Sequence, residues 1–484
     1  MGVVIRRADV DGSLRDIRIE RGTIAEVATT VAHRPDDDVI DAHGGAAIPG
    51  LHDHHIHLLA WAAAERSIVV GPPDVADPNG FAEILRGAVP GGDGWLRAIG
   101  YHESVAGELD RHVLDRLVPE RPLRLQHRSG VLWVLNTAAL DLLGARDDDS
   151  PGIERGSDGV PTGRLWRMDS WLGKRLKLIA RPEPPAAGGG GIAEALAGLS
   201  REAAARGVTG WTDATPGRAP DETLTLCDAV ESRNVLQRLH LMLPPEADEP
   251  TGRTTRGPVK VMLDDPSLPR LEELSGLVSS AGRAGRAVAV HCVTRSQLAL
   301  AVAAFDEAAF KCSSRRASGR ECDRIEHGAE IPPGYLQVLA ERGITVVTQP
   351  NFVFERGDQY LEEVDPQELP DLWRARSLVE AGIPVAAGTD APFGSPDPWL
   401  AVRASIRRQS RSGHPVGAEE ALDWRTALGL WLGSARDPSI ERTVARGQPA
   451  DVVVLDGPLP AALDGHEAVP VRATLIGGDV AFHA

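Results

Sequence analysis

Eight short runs of apolar, mostly β-branched residues, separated by longer helix-like segments, constrain the fold of this chain more than any other feature. The runs end near residues 57, 213, 243, 263, 291, 327, 348 and 390. Strands that alternate with helices form parallel sheets, because a parallel connection needs a crossover of a dozen or more residues. Eight such units predict an α/β protein built on a (β/α)8 TIM-like barrel, in which the carboxyl ends of the strands share one face.

The two ends of the chain follow a different pattern. Residues 1–47 alternate apolar and polar positions, as in Ile17-Arg18-Ile19, and the C-terminal stretch does the same in Val471-Arg472-Ala473. A period of two predicts strands that bury one face. We therefore expect a small β-sandwich domain built from residues 1–47 and 440–484, with the barrel between them at 48–439.

The stretch from about residue 60 to 200 exceeds what the barrel requires after its first strand. It contains two strand-like runs, at 95–101 and 123–128, and it closes with a Gly/Pro-rich stretch at 181–191. We interpret it as an insertion after the first strand that ends in a flexible linker.

Polar residues that commonly bind metals lie on or just after five of the eight runs. Alternate residues of a strand share a face, so the two histidines of His55-Ile56-His57 point the same way. Imidazole and carboxylate groups are common ligands of Zn²⁺ and related ions. An isolated His-x-His could equally belong to a surface turn, but its recurrence with similar residues at other strand ends favours a metal site. The candidate ligands are His55, His57, Lys260, His291, His327 and Asp390.

Several motifs occur in an order that is typical of one superfamily. They are Pro49-Gly50-Leu51-His52-Asp53-His54-His55-Ile56-His57-Leu58, Arg324-Ile325-Glu326-His327, Gly388-Thr389-Asp390-Ala391-Pro392 and the closing Gly447-Gln448-Pro449-Ala450-Asp451. With them, the chain resembles the metal-dependent amidohydrolase superfamily over nearly its whole length. It is most similar to the branch that includes N-substituted formamide deformylases.

The resemblance implies a site and a reaction. His55 and His57 would bind one divalent metal, with zinc the usual ion, and His291 and His327 would bind a second metal or complete a shared site. Lys260 would bridge the metals after carboxylation by CO₂, although a structural ion pair is the alternative for this lysine. Metal lowers the pKa of bound water to ~7. Asp390 would then carry the proton from the metal-activated hydroxide to the leaving amine.

The implied reaction is hydrolysis of a non-peptide carbon–nitrogen bond, in a linear amide such as an N-acyl or N-formyl compound. Deaminases of the superfamily carry a glutamate shortly after the fifth-strand histidine, where this chain has Cys292-Val293-Thr294-Arg295. A deaminase or cyclic-amide hydrolase on the same scaffold is the alternative. A binding protein that keeps the barrel without the reaction is a third hypothesis, which the intact ligand set disfavours.

Six further residues are candidates for substrate binding because they follow strand-like runs. They could equally form structural hydrogen-bonding pairs. They are His102, Glu103, His127 and Arg128 in the insertion, and Gln349 and Asn351 after the seventh run.

Charge and composition limit the classes of molecule that this chain can bind and the compartment in which it works. A net charge of −17 argues against nucleic acid or an anionic membrane as the main partner. No run approaches the ~18 apolar residues of a membrane span, and the N-terminus lacks the apolar core of a signal peptide. Four irregularly spaced cysteines predict free thiols in a reducing compartment. We therefore expect a cytoplasmic enzyme that acts on a small molecule and could form a homodimer.

Overall fold

The structure is a computed structural model, which describes residues 2–91, 93–179, 191–308, 312–317, 319–459, 463 and 469–484. It contains two compact units, one formed by Met1–Leu58 with Leu196–Ala484 and the other by Leu59–Ala195. Apart from Gly191, the predicted linker at 181–191 lies outside the described residues. Within the described ranges, no helix combines the length and the apolar character that crossing a membrane requires.

The first unit begins with a strand-rich segment. Its strands are β1 (Val3–Val10), β2 (Ser13–Glu20), β3 (Thr23–Ala28), β4 (Asp38–Asp41), β5 (Ala47–Pro49) and β6 (Leu51–Ile56). Two-residue turns, Asp11-Gly12 and Arg21-Gly22, join β1 to β2 and β2 to β3, and all four residues have positive φ. Such turns match the right-handed twist of the strands they connect, and glycine adopts them without steric cost.

The second unit is a six-stranded sheet with helices. After α1 (Leu58–Ala64), its elements are β7 (Ile68–Val69), α2 (Pro78–Gly87), β8 (Leu96–Tyr101), α3 (Glu103–Ala106), α4 (Arg111–Leu117), β9 (Leu123–His127), β10 (Leu132–Leu135), α5 (Thr137–Leu143), β11 (Ile153–Arg155), β12 (Pro161–Trp166) and α6 (Asp169–Ile179). The strand order is β11-β12-β10-β9-β8-β7, and β7, β8 and β9 are parallel. The two predicted strands correspond to β8 and β9, whereas β7, β10, β11 and β12 were not predicted.

In the rest of the first unit, strands alternate with helices. The elements are α7 (Ile192–Ala205), β13 (Val208–Asp213), α8 (Pro220–Glu231), β14 (Arg238–Leu241), β15 (Thr254–Arg256), β16 (Val259–Val261), α9 (Leu271–Arg283), β17 (Val288–Cys292), α10 (Arg295–Glu307), α11 (Cys312–Ala317), β18 (Arg324–His327), α12 (Leu336–Arg342), β19 (Thr345–Thr348), α13 (Asn351–Glu363), α14 (Ala375–Glu380), β20 (Val385–Ala387), α15 (Pro398–Arg407), α16 (Trp424–Gly429), β21 (Val452–Leu455), β22 (Val471–Ile476) and β23 (Asp479–His483). This alternation confirms the predicted α/β class.

Nine strands of the first unit form two parallel sheets, ordered β15-β14-β13-β6 and β16-β17-β18-β19-β20. The predicted fourth strand, at 259–263, corresponds to β16, which pairs with β17. Gly257 and Pro258 separate it from β15, a strand that was not predicted and that pairs with β14. Proline has no N–H to donate to a sheet, so the ladder is interrupted there. Beyond β20, the Asp390 N–H donates to the His55 carbonyl at 2.8 Å, and the His57 N–H donates to the Ala391 carbonyl at 2.8 Å. The segment that follows β20 is therefore hydrogen-bonded to β6 and to the residue after it.

Both ends of the chain contribute to one hydrophobic cluster. It contains residues of β1–β5, such as Ile5 and Ile17, together with Val452, Val454 and Leu475 from β21 and β22. The strand β5 joins the antiparallel sheet β23-β22-β21-β5, so the N-terminal segment pairs with the C-terminal one immediately before β6 begins. This pairing anchors the start of the strand that carries the histidine motif.

Candidate metal centre

His55, His57 and Asp390 bring three ligand-type atoms together. One donor atom from each lies within 4.8 Å of the others. The Asp390 Oδ1 atom is 3.2 Å from His57 Nε2 and 3.6 Å from His55 Nε2. The local sequence explains the arrangement, because His55 lies in β6 and His57 follows it, while Asp390 lies three residues beyond the end of β20. The two imidazoles and the carboxylate can therefore bind a single divalent ion.

The second ring nitrogen of three histidines is held by another side chain. When Nδ1–H donates to such a partner, the Nε2 lone pair faces away from it and is available to a metal, as is usual for metal-binding histidines. The partners are the Glu326 carboxylate for His55, the Thr215 hydroxyl at 3.2 Å for His57 and the Gln349 side-chain carbonyl at 2.8 Å for His327.

Burial keeps the inner histidines in the form that binds metal. It lowers the pKa of both His55 and His327 well below the ordinary histidine value, which favours neutral rings. The rings of His55 and His327 lie 4.7 Å apart, and those of His327 and His291 lie 4.5 Å apart, measured between centroids. The histidines of β6, β17 and β18 therefore form one contiguous cluster.

Glu326 is tied to Arg324 as well as to His55. The Arg324 Nε–H donates to Glu326 Oε1 at 2.6 Å, and its Nη2 donates to Oε2 at 3.2 Å and to the His54 carbonyl at 2.9 Å. Burial alone would raise the pKa of the Glu326 carboxyl, but the charge of Arg324 and then that of Lys260 outweigh it and hold this pKa below its ordinary value. Glu326 is therefore a buried carboxylate that accepts from His55.

The loop that carries Asp390 is fixed by Asp53 and Asn351. Asp53 Oδ1 accepts from the Thr389 N–H at 3.0 Å, and its Oδ2 accepts from the Thr389 hydroxyl at 2.6 Å. The Asn351 amide donates to the Thr389 carbonyl at 3.0 Å. At the preceding position, a Cβ on Gly388 would lie 2.6 Å from the His55 backbone nitrogen, so only glycine permits this approach.

Two of the candidate ligands have an uncommon backbone conformation. Asp390 has φ +59° and His327 has φ +70°, both in the left-handed region. Such conformations cost free energy and occur frequently at active sites, where the surrounding contacts enforce them. For Asp390, the enforcing contacts are the hydrogen bonds of Asp390 and Thr389 to β6.

Buried polar atoms without partners test whether the residues fit a metal. Among the described residues, His55 Nε2, Asp390 Oδ1 and Lys260 Nζ are buried and have no hydrogen-bond partner. Buried polar atoms are nearly always paired, so unpartnered donor and acceptor atoms on these three residues fit a centre that binds a further group. Burial of the amine lowers the pKa of Lys260 to about 8, so the neutral amine is more accessible than in an ordinary exposed lysine. The donor set of this centre therefore fits a divalent metal.

Gln349 and Asn351 lie beside the centre in positioning roles. Both are fully buried, and their contacts are to His327 and to the Asp390 loop respectively. Their assignment to substrate binding stays a prediction. The second unit brings together His102, Glu103 and His127, and the adjacent Arg128 donates its backbone N–H to the Tyr101 carbonyl at 2.8 Å.

Sequence reasoning assigned no role to Glu326 or Thr215. Glu326 lies within the quoted Arg324-Ile325-Glu326-His327 motif, and strand alternation puts it on the same face as Arg324, so the ion pair of these two residues could have been proposed. Its contact with His55 spans 271 positions and left no local signal. No feature of the sequence around Thr215 indicates its contact with His57.

Comparison with known proteins gives the same family. The chain is 26% identical to the N-substituted formamide deformylase of Arthrobacter pascens, over 98% of this chain and 96% of that protein. It is 24% identical to the putative amidohydrolase YtcJ of Bacillus subtilis, over 93% and 91% of the two chains. An uncharacterised metal-dependent hydrolase from Pyrococcus horikoshii has a similar fold, with a TM-score of 0.67 at 18% identity over 94% and 96% of the two chains. The model of the amidohydrolase family matches residues 38–482, so this chain belongs to the amidohydrolase family and is a hydrolase of carbon–nitrogen bonds.

Proposed function

We propose that the protein is a zinc-dependent hydrolase of linear, non-peptide amides, such as N-acyl or N-formyl amines. The observation that carries this proposal is the close approach of His55, His57 and Asp390, together with buried atoms of His55, Asp390 and Lys260 that have no hydrogen-bond partner. The likeness to a formamide deformylase over nearly the whole chain supports the substrate class.

His55, His57 and Asp390 would hold one ion, and His291 and His327 would hold a second or complete a shared site. Lys260 lies on β16 with its amine buried, and its charge acts on both His55 and Asp390. Carboxylation of this amine would turn a poor ligand into a carboxylate-like bridge between two ions. Two or three imidazoles with a carboxylate suit zinc, which prefers nitrogen and oxygen donors in this combination.

When bound, the metal supplies Lewis-acid activation of water and of the amide carbonyl near neutral pH. Asp390 is the group of this chain that moves the proton, taking it at a carboxylate oxygen and delivering it to the leaving amine nitrogen. Asp53 and Asn351 hold the Asp390 loop through Thr389, and Glu326 keeps His55 in the required orientation. These positioning contacts keep the proton acceptor within reach of the reacting atoms.

A deaminase or a cyclic-amide hydrolase is the competing function. The stretch after His291 in β17 is Cys292-Val293-Thr294-Arg295, without the glutamate that the resemblance associates with deaminases. In the structure, Thr294 caps α10 by accepting from the Gln297 N–H at 3.3 Å, and the Arg295 side chain pairs with Glu330. Because no glutamate stands in this stretch, we favour amide hydrolysis.

We further propose that β6 and β13–β20 close into a (β/α)8 barrel and that the two terminal sheets form a β-sandwich. The contacts of Asp390 and Ala391 with β6 support closure, and the shared core of both termini supports the sandwich. The proposed boundaries are 1–47 with 440–484 for the sandwich, 48–439 for the barrel and about 60–200 for the insertion. Four free cysteines support the cytoplasm as the compartment.

The test is metal content together with substrate class. Protein purified without chelator is analysed for metal per chain, then assayed with an N-alkyl formamide, an N-acetyl amine, a cyclic amide and an aminopyrimidine. We expect two equivalents of zinc at the centre and turnover of the linear amides, both lost in His57→Gln. Release of ammonia from the aminopyrimidine alone would establish the deaminase, and absence of metal after zinc addition would refute the proposal.

A further inference from the structure

The second unit contains a cluster of ligand-type side chains that the reaction above does not use. One donor atom each from His102, Glu103 and His127 lies within 4.8 Å of the others. Glu103 Oε2 is 3.0 Å from His127 Nε2 and 3.8 Å from His102 Nε2. Ligand atoms around a tetrahedral zinc lie roughly 3.3 Å apart, given its bond lengths of ~2.0–2.2 Å. We propose that His102, Glu103 and His127 form a site for a divalent transition-metal ion such as Zn²⁺.

The parallel pairing of β8 and β9 brings the two histidines of this unit together. His127 ends β9 and His102 follows the neighbouring parallel strand β8. The carboxyl ends of adjacent parallel strands are a common location for ligand sites in α/β sheets. Both imidazoles therefore project from the same edge.

A β-bulge sets the register of the two histidines. Ala98 pairs with Leu125, but Tyr101 pairs with His127, so β8 contains one residue more than β9 between these pairs. Gly100, with φ +79°, accommodates the extra residue. Because of the bulge, His102 is one position beyond the partner of His127 instead of two. Bulges commonly re-aim side chains next to functional sites.

Each histidine has a serine two residues later that contacts its Nδ1. The Ser104 hydroxyl oxygen lies 2.9 Å from His102 Nδ1, and the Ser129 hydroxyl oxygen lies 2.7 Å from His127 Nδ1. With metal bound, each ring would donate Nδ1–H to its serine oxygen and direct the Nε2 lone pair to the ion, as metal-binding histidines usually do.

The same serines also accommodate the metal-free tautomer. The backbone N–H groups of Ser104 and Ser129 lie 3.3 and 3.1 Å from the two Nδ1 atoms and can donate to them. The ring proton then resides on Nε2 and is directed toward Glu103. Metal binding would therefore need a tautomer change in each ring without movement of the backbone.

Exposure leaves room for an ion to enter. The two imidazole side chains are 17% and 15% exposed, whereas the Glu103 side chain is 43% exposed. The carboxylate can therefore reorient to complete the coordination, and solvent can occupy the remaining positions. The bound ion would tie the ends of β8 and β9 to the start of α3.

The experiment uses the full-length protein and Zn²⁺ alone as the probe, measured by competition with a chromophoric chelator. His127→Gln and Glu103→Gln are compared with wild type and with His112→Gln, which removes an exposed histidine of the same unit. We expect the first two variants to lose one equivalent or to bind it at least ~100-fold more weakly, since losing only an outer partner already costs about 10–100-fold. The control should match wild type.

A milder variant keeps the proposal testable if a ligand substitution prevents folding. Ser129→Ala retains all three ligands and should lower the affinity for the same zinc equivalent by about 10–100-fold, because it removes the acceptor for His127 Nδ1–H. The zinc equivalent bound by His102, Glu103 and His127 should also remain in His57→Gln, because that substitution affects only the centre in the first unit. The two sites are therefore distinguishable. Equal stoichiometry and affinity in wild type, His127→Gln and His112→Gln would overturn the proposal.

Discussion

Glu326→Gln tests whether the buried carboxylate orients the first metal-binding histidine. In the wild type, Glu326 accepts from His55 Nδ1 and from two donors of Arg324. The glutamine has the same shape but offers one carbonyl oxygen and one amide group that can only donate. At least one of the two partners would then face a donor, and the buried Arg324 charge would lose its carboxylate.

Two separate effects are expected, one on metal affinity and one on the stability of the fold. Loss of an outer-shell partner typically lowers metal affinity by about 10–100-fold, which corresponds to about 1.4–2.8 kcal/mol. Breaking a buried ion pair by removing one charge costs about 3–5 kcal/mol of stability. We therefore expect Glu326→Gln both to weaken metal binding and to destabilise the fold.

Glu420→Gln is the matched control, because Glu420 is also a buried carboxylate with an arginine neighbour. It accepts from the Ser377 N–H at 2.8 Å and lies 3.8 Å from Arg374, without contact to any candidate ligand. Both variants should lower the melting temperature of metal-free protein, but only Glu326→Gln should weaken zinc in chelator competition. Glu326→Asp, which keeps the charge, should recover part of the affinity. Equal zinc affinities of the Glu326→Gln and Glu420→Gln variants would refute the orienting role.

Three further predictions concern the same centre. Asp390→Asn should abolish turnover while metal analysis shows the ion still bound, because the change removes the proton acceptor and little volume; near-wild-type turnover would rule out proton transfer by this residue. Lys260→Ala should lose activity that added short carboxylic acids partly restore by replacing the carbamate, whereas full activity without them would make this lysine structural. Gly388→Ala should lower the free energy of unfolding by about 1–3 kcal/mol or more, because the added Cβ would lie 2.6 Å from the His55 backbone nitrogen. Its control, Gly276→Ala in α9, meets no atom within 4 Å and should raise stability by about 0.5–1 kcal/mol in the same denaturant titration.

Much of the α/β pattern was predictable because hydrophobic periodicity is a local property. The predicted second, fifth, sixth and seventh strands correspond to β13, β17, β18 and β19, since each is a compact β-branched run next to a polar stop. The short strands of the second unit, such as Ile68–Val69 and Ile153–Arg155, were missed. With two or three residues, such strands offer too few positions for alternation to be recognised. The partners in the sheet, not the local sequence, make them strands.

The candidate ligands were predictable for a related reason. His55, His327 and Asp390 come at or just after strand ends, and parallel strands bring these ends to one edge whatever the intervening sequence. The positions of Gln349 and Asn351 next to this edge were also predictable. Their contacts were not, since an amide side chain at a strand end can contact either a substrate or a neighbouring metal-binding residue.

The amino-acid sequence by itself determined the family, the class of fold and the types of ligand available, because these depend on residue type and on spacing along a strand. Tertiary structure decided which side chains hold the Nδ1 atoms of His55, His57 and His327, and how the proton acceptor is held. The contacts responsible join residues that are far apart in the chain: Glu326 with His55 across 271 positions, and Thr389 with Asp53 across 336. Hydrogen bonds of this kind depend on angles and distances that only packing fixes, so no local pattern of residues encodes them.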